Sequence, residues 1–254
     1  MKKTNLIQML SIFTLGLLVI GCAGSGNSDG NQDSSGNPVK NPTLKHPGNR
    51  KYRAGHRDGS TVFLYAENPV DHLYYVLFAQ RKTGAKEWTT PGGLVDPGQT
   101  FADAAARELY EETVKFYGFD SSSGHAGTHQ SITAGDLLTG LYSEIIGNKS
   151  KDIHMLFFAK ASSMAPALTI TAALATPGLS HKYTEMQDYK WVPLSVLKTA
   201  VNAIPKAPNG YGTFATTPIN WVDATAGPQN ITIWAAAIKS LTSNKARTIL
   251  SSLP

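Results

Sequence analysis

The chain has a single cysteine, Cys22, among 254 residues, which excludes a disulfide within the chain. Charge is also scarce: Asp, Glu, Lys and Arg make up 16% of the residues. Of the net charge of +5, Lys2 and Lys3 supply two, leaving +3 for everything after residue 21. So mild a balance, with no cluster of Lys and Arg, argues against nucleic acid as the main partner. No internal repeat is present, and long apolar runs are confined to residues 6–20. That run has 15 residues, too short for a comfortable bilayer span. What the chain does have is 41% hydrophobic residues, enough for one sizeable core with room for tails.

The apolar run LIQMLSIFTLGLLVI follows Met1-Lys2-Lys3 and ends in small residues, the pattern of an export signal. It closes on Val19-Ile20-Gly21-Cys22. These four residues resemble the lipobox of bacterial lipoproteins, in which the peptide is cut before the cysteine and that residue is lipidated. The resemblance implies a signal peptide over residues 1–21, lipidation of Cys22 and a membrane anchor at the cell envelope. Ala23, in place of Asp, implies the periplasmic side of the outer membrane if the organism is Gram-negative. An ordinary signal peptide beside a free thiol is the alternative, and a lone exposed thiol would be a liability in an oxidising compartment. Residues 22–51 are rich in Gly, Ser, Asn and Pro. Such a composition cannot offset its own ordering entropy and reads as a flexible tether.

Beyond the tether the pattern is that of an α/β domain. Residues 61–68 and 73–82 are aromatic and β-branched and read as two strands joined by a turn. Residues 88–99 are glycine-rich and turn-rich, a loop with a short strand at 93–95. The stretch from Thr100 to Gly118 is predicted as a helix: Thr100 and Asp103 make a capping-box pair, and Phe101, Ala105 and Leu109 form an apolar stripe. Residues 120–128 read as a loop, and 137–146 and 152–163 as strands. The segment 168–188 is ambiguous, part strand and part loop. Residues 189–204 read as a strand end entering a helix through Pro193. Ile231, Trp234, Ile238 and Leu241 stand at helical spacing, which predicts a helix over 230–253.

In the helix after Thr100, Glu108, Glu111 and Glu112 fall at i, i+3 and i+4. Like charges at that spacing repel one another. A solvated acidic face with Arg107 pairing Glu111 is one explanation. A divalent cation held among hard oxygen ligands is the other.

The surrounding residues bear on that choice. Gly93, Arg107, Glu108, Leu109, Glu111 and Glu112 stand in the register of the Nudix box, with Trp88 and Pro91-Gly92 ahead of it. The segment 93–115 therefore resembles the signature of the Nudix hydrolase family: Gly, five residues, Glu, seven residues, then Arg-Glu-aliphatic-x-Glu-Glu-x-Gly-aliphatic. Three positions depart. Gln99 stands where the family has Glu, Val114 where it has Gly, and Lys115 where it has an aliphatic residue.

The resemblance implies an α/β/α sandwich around a mixed sheet. It implies hydrolysis of a diphosphate linkage in a nucleoside diphosphate derivative, with Mg²⁺, or alternatively Mn²⁺, as cofactor. Glu111 and Glu112 would be metal ligands, and Glu108 a further ligand or the group that orients or deprotonates water. Arg107 would hold the glutamates in place, and Gly92 would offer its backbone carbonyl to the ion. Family members often add a carboxylate from the loop before the last Trp-containing strand. Glu185, six residues before Trp191, fits that habit, with an exposed loop glutamate as the alternative and Glu144 as a weaker competitor. Dimerisation is frequent in the family, so a homodimer belongs to the same expectation. The domain organisation expected is signal peptide 1–21, tether 22–51, Nudix domain 52–200 and a helical extension over 201–254 packed on it. Gln99 and Val114 leave room for a catalytically weakened nucleotide-binding module.

Other candidates carry less. His125 and His129 lie in a glycine-rich irregular stretch, and His154 in a strand. Tyr183, Tyr211 and Trp221 suit a core as well as a base-stacking role. Lys239, Lys245 and Arg247 could graze a membrane, although the apolar face of their helix needs covering by the domain.

Overall fold

The computed structural model describes residues 46–147, 150–205, 215–223 and 226–254. The signal peptide, Cys22, residues 22–45 of the tether and Tyr211 lie outside the described residues.

Alternation along two apolar segments sets the frame. In β1 (Gly59–Glu67), Val62, Leu64 and Ala66 belong to one buried cluster, while Phe63 joins a second on the opposite face. In β2 (Tyr74–Arg81), Leu77 and Ala79 join the first cluster, and Val76 and Phe78 the second. A strand buried on both faces must be covered by helices on both. Around this pair stand β3 (Trp88–Thr89), β4 (Gly92–Leu94), β7 (Leu141–Ile146), β8 (Ile153–Lys160), β9 (Met186–Pro193), β10 (Thr217–Asp223) and β11 (Gly227–Ile233). They form a nine-stranded mixed sheet with the path β10-β11-β3-β2-β1-β8-β7, β4 pairing with β1 and β9 with β2. The β1–β8 and β3–β11 pairs are parallel.

Helices α1 (Phe101–Glu112), α2 (Ala134–Thr139) and α3 (Ala167–Ala173) cover the face of Val62 and Leu64. Helices α4 (Leu194–Ala203), α5 (Ala235–Leu241) and α6 (Asn244–Ser252) cover the other. The result is the α/β/α arrangement around a mixed sheet that the sequence implied. Ala102, Ala104, Ala105 and Ala106 of α1 are all buried, so the helix axis can approach β1 closely. Thr100 and Asp103 form the expected reciprocal cap at its start.

Several elements differ from expectation. Residues 137–139 end a helix, α2, whose own Thr133–Asp136 capping box starts it; only 141–146 are strand. Within 168–188 the strand is confined to 186–188, the start of β9, while residues 167–173 are helical. The stretch expected as loop over 120–128 contains Asp120 and all of β6 from a two-residue ladder between β5 (Phe119–Asp120) and β6 (His125–Ala126). α1 ends at Glu112, well before Gly118. The expected helix over 230–253 begins as strand: Ile231 lies in β11, and residues 201–254 include the β10–β11 hairpin, which extends the main sheet beside β3. Cross-strand pairing with 217–223 outweighs the helical spacing of Ile231 and Trp234.

Candidate active site

The site is built where α1 crosses β4. The Gly92 N–H donates to Glu112 Oε2 at 2.7 Å, which ties the end of the acidic face to the strand. Gly93 comes still closer, since a Cβ there would run into the Glu108 carboxylate. Any side chain at 93 would therefore displace the glutamate, so glycine is required by close approach rather than by backbone conformation.

Arg107 organises the acidic face. Its Nη1 lies 2.9 Å from Glu111 Oε2, and its Nη2 lies 2.8 Å from Glu108 Oε1 and 3.0 Å from Asp96 Oδ2. Nη2 also donates to the Leu94 carbonyl at 3.1 Å. Gln99 Oε1 receives a long 3.4 Å contact from Nε, so the departure at residue 99 bears on how Arg107 is held. Glu111 has a second cation: Lys182 Nζ donates to its Oε1 at 2.8 Å. Glu112 carries no ion pair among the described residues. It is 5% exposed, and Tyr189 Oη donates to its backbone carbonyl at 2.7 Å.

The three glutamates therefore differ electrostatically. Burial raises the Glu108 carboxyl to about 7; Arg107 opposes this, and the charges of Glu111 and Glu185 add to it. Burial also pushes Glu112 well above the ordinary carboxylate range, with Glu108 and Glu185 reinforcing the shift and the Gly92 N–H opposing it. Glu185, in the loop before β9, is thus near enough to act on both. The half-buried Glu108 and the buried Glu112 set against a glycine strand, with the exposed Glu185 acting on both, are a donor set that suits a hard divalent cation. The cation would lower the same pKa values that burial raises.

On the opposite face of β4 lies a cavity of about 360 Å³. Thr61, Thr90, Gly92, His154, Trp234 and Lys239 are among its lining residues. Gly92 thus touches both the glutamates and the cavity, and the α5 side of the wall comes from the C-terminal segment.

The NUDIX domain profile matches residues 55–212. The chain belongs to the NUDIX family. It is a hydrolase acting on phosphoric anhydride bonds, and at family level a nucleotide pyrophosphohydrolase. The matched span carries every residue of the α1–β4 site; β10, β11, α5 and α6 lie beyond it. No curated protein matches the chain. Similar solved structures include a C. elegans Ap4A hydrolase binary complex, at 21% identity over 54% of this chain and 81% of that one, TM-score 0.34. A MutT/nudix family protein from Listeria innocua matches at 18% identity over 58% and 84%, TM-score 0.32. The NUDIX domain of Shewanella oneidensis NrtR complexed with ADP ribose matches at 15% over 58% and 79%, TM-score 0.33. The family assignment rests on the domain match.

Of the residues singled out in the sequence, the NUDIX site gathers Gly92, Arg107, Glu108, Glu111, Glu112 and Glu185. Glu144 is elsewhere, on β7, paired with Arg50 at 2.8 Å. His125 is exposed on β6. His129 bonds Ser163 Oγ at 2.9 Å and meets the Tyr117 ring edge-on. His154 lines the cavity, and burial lowers its pKa. Tyr183 packs edge-on against Tyr110, and Trp221 is buried under the second helical layer. Lys245 sits over the Tyr142 ring and Arg247 donates to the Ile204 carbonyl at 2.7 Å, so both pack on the domain. Sequence reasoning missed Lys182 and Asp96. It also missed His56, Asp58 and Asp152, whose ligand atoms lie within 4.8 Å of one another. Arg53 already grips both oxygens of Asp58, at 2.6 and 2.7 Å, so a cation charge is present there without a metal.

Proposed function

We propose that the chain hydrolyses the diphosphate linkage of a nucleoside diphosphate derivative with Mg²⁺, working outside the cytoplasm on a lipid anchor at Cys22. The observation that carries the reading is the setting of Glu108 and Glu112 against a strand where only glycine fits. Glu112, Glu185 and the Gly92 carbonyl would hold the cation, which when bound neutralises and orients the diphosphate oxygens. Glu111, bound by two cations of the protein itself, is the glutamate least available as a ligand and serves as an anchor. Glu108, paired with Arg107 at 2.8 Å, is placed to take the proton of the attacking water, and Arg107 keeps it oriented. The cavity behind Gly92 is within the usual range for a small-molecule site and would take the organic group.

An extracytoplasmic location favours nucleotide sugars, dinucleotides and other exported or scavenged diphosphates over nucleoside triphosphates. The test is incubation of the chain with Mg²⁺ and a panel of those three classes, with products separated by chromatography and a chelator control. Cleavage of one class, abolished by the chelator, is the expected result. No product from any class, with Mn²⁺ also tried, would contradict the reading.

A further inference from the structure

The turn His181–Tyr183 leads towards β9 and carries Lys182. Lys182 Nζ donates to Glu111 Oε1 at 2.8 Å and lies 3.6 Å from Asp120 Oδ2. Those carboxylate side chains are 8% and 2% exposed, whereas Lys182 is 42% exposed. A loop residue thus reaches from the surface to two buried acids, one on α1 and one on β5. Tyr183 adds to the contact: its ring meets Tyr110 of α1 edge-on, and Lys115 and Lys182 lie 4.6 and 5.0 Å from its centroid. At the other end of the loop, the Glu185 carbonyl accepts from the Lys82 N–H at 2.9 Å. Residues 181–185 are therefore pinned at both ends, to α1 and to the end of β2.

At the second pin stands Glu185, an exposed residue whose charge acts on Glu108 and Glu112 and is repelled by them. Like charges in a partly buried site push the mobile one outwards unless something fastens it. Arg107 cannot supply the fastening, because its Nη1 is already on the other oxygen of Glu111. We propose that Lys182 is a positioning residue: its bond to Glu111 fastens the 181–185 loop to α1 and so holds Glu185 within reach of the cation. The inference rests on the reading of Glu185 as a ligand. In this role Glu111 serves the site through the loop it anchors.

The test is Mn²⁺ binding to the full chain, followed by the loss of the free-ion electron paramagnetic resonance signal, with thermal melting as a folding control. Glu185→Gln and Lys182→Met are each expected to weaken Mn²⁺ binding by roughly tenfold or more, the scale on which residues behind metal ligands act. The double variant should bind no more weakly than Glu185→Gln alone, and Lys182→Arg should stay close to wild type. Should Lys182→Met melt early, Lys182→Gln removes the charge while keeping a hydrogen-bond donor and is expected to weaken Mn²⁺ likewise. Wild-type or tighter binding by Lys182→Met, with Glu185→Gln weakened, would overturn the latch and leave the ligand reading standing. Additive losses in the double variant would also overturn it. Wild-type affinity in Glu185→Gln would remove the ligand reading, and the latch with it.

Discussion

Burying Glu108 and Glu112 side by side makes the metal-free protein hold their protons more tightly than the unfolded chain does. Stability should therefore fall as pH rises from the ordinary carboxylate value of 4.5 towards about 7, where Glu108 titrates, and return on acidification. Glu112→Gln removes a buried ionisable carboxyl and keeps an acceptor for the Gly92 N–H. Without divalent cations at alkaline pH it should raise the melting temperature and flatten its dependence on pH. Calorimetry in chelator checks this, and a lower melting temperature than wild type would contradict the electrostatic account. At this scale the sequence was informative wherever spacing along one helix suffices: Arg107, Glu108, Glu111 and Glu112 are neighbours on α1 by periodicity alone. Lys182 was illegible because its partner Glu111 is 71 positions away, and only the path of the chain brings the two together.

Among the elements, α1 ends in an unusual way. Thr113 Oγ1 donates to the Leu109 carbonyl at 2.6 Å, and Val114 and Lys115 then adopt left-handed backbone, with φ of 51° and 67°. A β-branched residue there is strained by about 1–2 kcal/mol, which the near-complete burial of Val114 offsets. The family's glycine is thus replaced by a residue retained through packing. Gly118, with φ of 89°, passes so close that a Cβ would lie 2.5 Å from the Ala106 carbonyl and the Tyr110 N. Gly118→Ala should destabilise by about 3 kcal/mol, read from the urea midpoint, through combined strain and overpacking; a loss below about 1 kcal/mol would show that the connection relaxes freely. The misread elements have physical causes of the same kind. In 137–146 the apolar run hid a helix whose Thr133-x-x-Asp136 box was the available signal. In 230–253 the alternation of Ile231 and Ile233 competed with a helical spacing, and the partner strand that decides the matter was itself unread.

For the whole molecule, the C-terminal segment completes the core. On the second face of the sheet, Ile219, Ile231 and Ile233 of β10 and β11 extend the cluster of Phe63, Phe78 and Phe158, and Ile238 and Leu250 of α5 and α6 cover it. Each such side chain contributes about 1.5–3 kcal/mol on burial. A chain ending at residue 204 would lose that cover, although most of the matched domain would remain. It should be insoluble or bind a hydrophobic dye strongly, and a cooperative unfolding transition at wild-type temperature would show that the segment is dispensable. The α/β class was legible from the alternation of strands and helices, and the sandwich from the family resemblance. The share of the sheet contributed by β10 and β11 was not, because their pairing is long-range.

The proposed hydrolysis of a phosphoric anhydride at Glu108, Glu112 and Glu185 depends on the Glu112 carboxylate. Its most direct test compares the rate of cleavage by wild type and Glu112→Gln on the substrate that the panel identifies, in saturating Mg²⁺, with both proteins shown to be folded. A fall of about a thousandfold is expected, matching the several kcal/mol that a correctly held cation supplies. A variant within tenfold of wild type would contradict it.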